Sequence, residues 1–489
     1  MILKKKIAAM LALPALVAAA QTPNAPQVMT ATTLREAILQ HGSSGTSIEP
    51  ASTPVPMWMG MKSGWTLMLH ANAFAANEQQ QAASERGRDA WFSTNWIMPM
   101  AQRQLGPGEL TLRAMFSAEP GTMQQRNYPL LFQQGETAYG APIVDGQHPH
   151  DFFMEVAALY DVKLGKNALL SFYAAPIGDP AIGPTAYPHR QSASEDPVAA
   201  LGHHQEDSTH IAFNVFTGGL TYKWARAEVS GFHGGEPSEA HWHFQPSPNG
   251  HAVDSWATRL TVSPNADWSG QYSYAHVASP EALYPHEDQQ RQTASVMYHH
   301  TFKSEAAPAK HDDAMAGMDM SGDMAGMDMS GMDHSQMNHA AATSAAPPMK
   351  MPSMSMHMAA QPVNDLSITA LWGRTKSLDA DASKQNSYLL EALYRFKGKN
   401  YVWTRMENAG RSSELLLTPG TSLPTGFHED PVGHVAAFTF GYDRDFAVGR
   451  HLLAAPGAQV TLYRSPALLA KAYGDTPTGE VFFVRFRLR

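Results

Sequence analysis

The 489-residue chain has no cysteine, which excludes a disulfide framework and lipid attachment at a cysteine. Beyond the first twenty residues no window approaches the ~18 consecutive apolar residues of a helical membrane span. A basic face is missing too: 35 Lys and Arg stand against 44 Asp and Glu, so composition offers nothing to a nucleic-acid partner. From His311 to Met358 aromatic and branched aliphatic residues are absent, and no core can form there.

What fills that stretch is methionine. Of the chain's 27 methionines, it holds Met315, Met318, Met320, Met324, Met327, Met329, Met332, Met337, Met349, Met351, Met354, Met356 and Met358, with His311, His334, His339 and His357 among them. A thioether is a soft, uncharged, pH-indifferent donor that suits Cu(I) or Ag(I) far better than Mg(II), Ca(II) or Zn(II). The MDM and MSM spacings let neighbouring thioethers converge on one ion, and Asp319, Asp323, Asp328 and Asp333 keep the tract soluble. An inert linker is the alternative, but linkers are usually built from Gly, Ser, Pro and charge.

Residues 1–20 read as a secretory signal: Lys4 to Lys6 basic, Ile7 to Val17 apolar, Ala18 to Ala20 a small-residue cleavage site. Length alone would allow two or three soluble domains, yet the only boundary is the methionine tract, so one large β architecture with one insertion is expected. Residues 21–63 form a periplasmic lead-in. It contains a short helix from Thr33 to His41, capped by Thr32 or Thr33. After it, Met57, Met59 and Met61 alternate; a strand edge with interfacial Trp58 accounts for them better than a second soft-metal cluster.

From Gly64 the pattern has period two. Leu110, Leu112, Ala114 and Phe116 alternate with Glu109, Thr111, Arg113 and Met115; Met154, Val156, Ala158 and Tyr160 alternate with Glu155, Ala157, Leu159 and Asp161. Alternation fits a sandwich or a barrel, but strands of about nine to eleven residues match a tilted membrane crossing. They recur near 64–77, 90–103, 109–118, 151–162, 167–175, 208–222, 225–234, 253–262, 268–277, 291–302, 365–374, 386–396, 400–407, 433–446, 456–464 and 479–488. Their connections alternate between tight (LGPGE, VKLGKN, YKWA, SPNAD, FKGKN) and long, the signature of an outer-membrane barrel with short periplasmic turns. The expected fold is therefore an all-β, transmembrane antiparallel barrel of about 16 strands, 14 being the next choice. A lumen of that size is water-filled by default. Strand parity puts the insertion 303–364 on the periplasmic side, between barrel segments 64–302 and 365–489. Arg113, Glu155, Arg226, Glu228, Arg259, Glu391, Arg395, Arg405, Glu407 and Arg485 fall on the charged phase and should line the lumen, because a midplane Arg facing lipid costs about 2–4 kcal/mol.

The segments STNWIMPMAQRQLGPGELTLRAMFS, YPLLFQQGETAYGAPIVDGQHPHDFFMEVAALYD, GDPAIGPTAYPHRQSASEDPVAALGHHQEDSTHIAF and ASPEALYPHEDQQRQTASVMY resemble a largely uncharacterised family of predicted bacterial outer-membrane β-barrel proteins that often accompany heavy-metal resistance systems. The likeness covers nearly all of the mature chain outside 303–364. The methionine-rich insertion is similar in character to tracts of outer-membrane copper-resistance proteins, whose barrel motifs differ.

The long loops hold the remaining chemistry: His148, His150 and Asp151 in DGQHPHD, His189 in AYPHR, His203 and His204 in GHHQED, and His210 at the next strand. They read as a second site for Zn(II), Cu(II) or Ni(II), or as a hydrogen-bonded loop plug. His241 and His243 in AHWHF are a weaker pair. An outer-membrane hydrolase would need Ser208, His210 and Asp207 together, but neighbours on a strand splay to opposite faces and there is no GxSxG motif, so no enzyme is expected. The reading is an exported outer-membrane barrel that binds copper(I) or silver(I) ions, without an organic cofactor. Its partners are outer-membrane lipid and periplasmic metal-efflux components; the alternative is a general diffusion porin with an incidental insert.

Overall fold

A computed structural model describes residues 27–123, 126–207, 212–244, 253–302, 364–378 and 383–488. The expected signal region, the methionine tract, Ser208 and His210 lie outside the described residues. Sixteen strands build the barrel: β1 Trp65–Gln81, β2 Asn95–Leu105, β3 Gly108–Phe116, β4 Phe153–Leu164, β5 Ala168–Gly178, β6 Ala212–Tyr222, β7 Ala225–His233, β8 Ser255–Asn265, β9 Trp268–Val277, β10 Gln289–Phe302, β11 Asn364–Ser377, β12 Lys384–Phe396, β13 Asn400–Ser412, β14 Pro431–Arg444, β15 Leu452–Arg464 and β16 Thr478–Leu488. Each pairs antiparallel with the next. The last returns to the first, from Thr478 opposite Gln81 to Arg487 opposite Asn72, and closure removes the open edges that a bilayer would not tolerate. The sixteen-strand expectation holds.

Period two gives the wall two unlike faces. Outward stand Leu112, Phe172, Leu220, Val229, Leu260, Val296, Leu390, Val402 and Phe440, all exposed, while their chain neighbours Arg113, Ser171, Thr221, Glu228, Arg259, Ser295, Glu391 and Thr439 are buried. A soluble sandwich would expose the polar phase; here the apolar phase is outside, as lipid requires. Aromatics collect at both rims: Trp268 meets Tyr298 at 4.7 Å near the short connections, and Trp256 meets Tyr274 at 5.6 Å near the long ones. Such girdles belong at membrane interfaces.

The lumen departs from expectation, because it is filled rather than left to water. Three segments enter it in their described parts: the lead-in and the connections 117–152 and 179–211. In the lead-in, α1 Leu34–Gln40 starts at Thr33, whose side chain accepts from the Glu36 amide; the Glu36 carboxylate in turn accepts from the Thr32 amide at 2.9 Å, a reciprocal cap. Its Leu34, Ile38 and Leu39 pack with Ile48 against Leu169 of β5. The expected periplasmic lead-in is thus inside the barrel, and the cause is the wall: Arg113 donates to the Gly45 carbonyl at 2.6 Å, Arg259 to the Thr46 hydroxyl at 2.8 Å, and His41 lies 3.1 Å from Asp161. The strand Val55–Lys62 then leaves along β1 through the Ser63-Gly64 turn, where both residues have positive φ, 51° and 79°, the geometry of a tight hairpin.

Leu260→Arg, on the lipid face, is expected to lower the free energy of unfolding in lipid vesicles by about 2–4 kcal/mol. A change near zero in a denaturant titration would assign that face wrongly.

Candidate functional site

The inward charges of the wall are joined to one another and to the entering loops. Arg113 and Glu155 pair at 2.6 Å; Glu228 sits between Arg226 at 3.0 Å and Arg259 at 2.9 Å. Glu391 accepts from Arg190 of the connection 179–211 at 2.5 Å, from Ser192 at 2.7 Å and from Arg405 at 3.3 Å. Arg405 also reaches Asp196 at 3.0 Å and the Val198 carbonyl at 3.1 Å, and Glu407 accepts from the Leu201 amide. Arg411 donates to Phe132 and Leu201 carbonyls at 2.6 and 2.7 Å, tying both loops to β13. Arg485 meets Glu195 at 2.6 Å and Asp443 at 3.0 Å, and Arg395 pairs with Asp365. The loop partners Arg190, Glu195 and Asp196 were not singled out in the sequence; a loop that mixes charges of both signs with small residues was the available signal.

Toward the long-loop end, the histidines separate into one cluster, two carboxylate pairs and two that join neither. The helical turn His203–Glu206 lies against β11 at Gly373, where an added Cβ would stand 2.1 Å from the Gln205 carbonyl oxygen. That close approach delivers His204 to Glu136, which also receives His148 at 3.2 Å. The His203 and His204 rings are 4.0 Å apart, and ligand atoms of Glu136, His203 and His204 all lie within 4.8 Å of one another. Glu136 further accepts from Gln147 at 2.7 Å and the His148 amide at 3.0 Å. His150 forms a separate pair with Glu119 at 2.8 Å, and Asp151 pairs with His241. His189 turns away, with its Nε2 3.2 Å from the Met115 sulfur. His243 is exposed, and Asp207 lies 3.8 Å from Arg190. The carboxylates Glu136 and Glu119 were missed, and their only sequence signal was an acid beside a glycine or proline within the histidine-bearing connection 117–152.

Electrostatics follow from burial and pairing. Burial alone would raise the Glu136 carboxyl, but the His148 and His204 charges and hydrogen bonds outweigh it and hold it well below the usual carboxylate range. Burial opposes charge on His148 as well, yet Glu136 pushes its pKa up to about 9. His203 is driven well below the ordinary imidazole value by burial and by His204; burial lowers His204 despite Glu136. The result is a buried carboxylate held ionised beside a His148 held protonated. The donor set fits Zn(II), Cu(II) or Ni(II); in the state described, the same groups lock the two plug loops together.

No family model matches the chain, and no curated protein does. Among solved structures, an anion-selective porin from Comamonas acidovorans aligns with a TM-score of 0.46 at 11% identity, covering 86% of this chain and 99% of that one. The high-pH structure of Pseudomonas putida OprB gives 0.45 at 8% identity over 87% and 94%. Outer-membrane expressed OmpT of Vibrio cholerae gives 0.43 at 6% over 88% and 99%. Likeness at this level says nothing of cargo or selectivity. The closed barrel, its apolar outer face and its two aromatic rims define an outer-membrane β-barrel protein.

His148 is raised in the folded state, so its pairing with Glu136 stabilises fully below the unfolded pKa of about 6.5 and is lost as pH rises through about 9. Protease cleavage within 117–152 is expected to accelerate between pH 7 and 9.5 and to lose that pH dependence in Glu136→Gln; a flat profile in the parent chain would contradict the pairing. Gly373→Ala is expected to displace the His203–Glu206 turn and expose it to cleavage while the barrel still resists heat in detergent. Unchanged cleavage would mean that the close approach does not hold the loop.

Proposed function

We propose that this outer-membrane barrel serves copper or silver tolerance, holding Cu(I) or Ag(I) on the methionine tract and passing it to periplasmic efflux components. The observation that carries the reading is a register. β10 and β11 pair without a shift from Gln289 opposite Ser377 to Phe302 opposite Asn364, so the barrel needs only a hairpin turn there. Residues 303–363 are superfluous to that pairing, and their composition calls for a reason of its own. Thioethers of Met315 to Met337 and Met349 to Met358, with imidazoles of His334, His339 and His357, supply soft donors that a spacer has no use for. The join falls at the end with short connections, the periplasmic end in barrels of this kind.

The filled lumen favours handling of bound ions over bulk diffusion. A diffusion porin with an incidental insert remains compatible with the barrel architecture, but it requires 117–152 and 179–211 to leave the lumen, breaking the Arg190, Arg405 and Arg411 contacts at once. The hydrolase reading rests on Ser208 and His210, which lie outside the described residues.

Deleting 304–362 is expected to leave the barrel folded while removing several equivalents from a competitive Cu(I) titration under reducing conditions, and to lower the copper tolerance of cells that express it. Equal titration curves for the full chain and the deletion would overturn the proposal.

A further inference from the structure

The inner face of the first four strands is unlike the rest of the wall. Met68 of β1, Met98 and Met100 of β2, Met115 of β3 and Met154 of β4 are all buried there in one cluster with Trp96. Register sets Met68 opposite Met100 and His70 opposite Met98, which brings those side chains within contact distance. His189 enters from the connection 179–211. Its Nε2 is 3.2 Å from the Met115 sulfur, its ring is 4.3 Å from Trp96 and 6.1 Å from His70, and His70 is 4.6 Å from Trp96.

Apolar packing explains the thioethers but not the imidazoles. The Nδ1 atom of His189 is buried and has no hydrogen-bond partner among the described residues, an arrangement that costs about 1–3 kcal/mol for an unsatisfied group, whereas the His70 ring has the Gly42 backbone as a hydrogen-bond partner. Neutral nitrogen beside several thioethers is a donor set for a soft monovalent d10 cation and a poor one for hard divalent ions. A cavity of about 40 Å³ lies against Met115, Met154 and His189, with His150, Asp179, His203 and Asp207 on its other walls, room for one ion or water; it touches Met115 and His189 of the proposed set, while His70 lines the next cavity. A second, of about 140 Å³, touches His70 and His189 at its inner side and Leu488 at the short-turn end.

We propose that His70, His189 and Met115, with Met98 beside them, form a lumenal site for one Cu(I) or Ag(I) ion, distinct from the tract 303–363 and from the Glu136 cluster. The inference shares its metal class with the proposed function and deepens that reading, but it stands on different residues and is read out separately.

The test is a competitive Cu(I) titration of the full chain, of the chain lacking 304–362, and of each carrying Met115→Leu or His189→Gln. The deletion chain is expected to keep one equivalent, and either substitution to weaken that equivalent by at least roughly tenfold, the loss that follows even from removing an outer partner of a ligand. X-ray absorption of the loaded deletion chain should show nitrogen and sulfur neighbours together. If the deletion chain withdraws no copper while the full chain still does, the lumenal site is overturned and the tract proposal stands. If the deletion chain and the full chain withdraw the same single equivalent, the tract proposal falls and the lumenal site stands. Should the deletion chain fail to fold, the full chain decides: Met115→Leu and His189→Gln must each remove one equivalent from the total, and an unchanged total overturns the site.

Discussion

Everything inside this barrel depends on the pairing of inward charges, and Glu391 shows the rule. It sits on β12 in the middle of the wall, receives Arg405 from β13 and Arg190 from a loop that begins at the far end of β5, and is fully buried with both. A buried carboxylate without a partner would cost several kcal/mol, and removing one member of such a pair costs about 3–5 kcal/mol. The same pairs add little net stability over an apolar replacement; what they fix is position. A sixteen-stranded wall is too wide for its own side chains to fill, so each inward Arg and Glu must find water or chain. Here it finds chain, and the loops are drawn in.

That requirement organises the two ends differently. At the short-turn end the lead-in answers Arg113, Arg259 and Asp161 through Gly45, Thr46 and His41. Nearer the long-loop end, Arg411 holds two loop carbonyls at once, and Gly373 lets the His203–Glu206 turn lie directly on the wall. Once those loops are held, His148, His203 and His204 have little choice but to meet Glu136. The cluster follows from loop anchoring, and its charge state follows from its burial. The outer face follows from the other phase of the same alternation: Leu112 faces lipid because Arg113 faces Glu155.

Much of the fold was legible because it is local. Period-two alternation located all sixteen strands, and the Thr-Leu-Arg-Glu run announced the cap of α1. A loop plug was one of the two readings of the histidine loops, but its anchors were not legible, because they join residues far apart in the chain, such as Arg190 with Glu391 or Arg411 with Phe132, and strand number by itself argues for an open lumen. His148, His203 and His204 could be grouped from loop position, while His189 could not be separated from them, since only the fold brings it to Met115. Met57 and Met59 read as a strand edge and do sit on one, yet Met57 is buried in the lumenal methionine cluster while Met61 is 72% exposed. Side-chain direction at a strand that runs along the barrel rim is set by its partner, not by its own pattern.

The most direct test of a barrel filled by its own charged loops is electrical. Purified full-length protein reconstituted into a planar bilayer at neutral pH should show no sustained ion conductance on the scale of an open sixteen-stranded pore. A steady, voltage-independent conductance of that size would contradict the account, since it would require Arg190, Arg405 and Arg411 to have released the loops they hold.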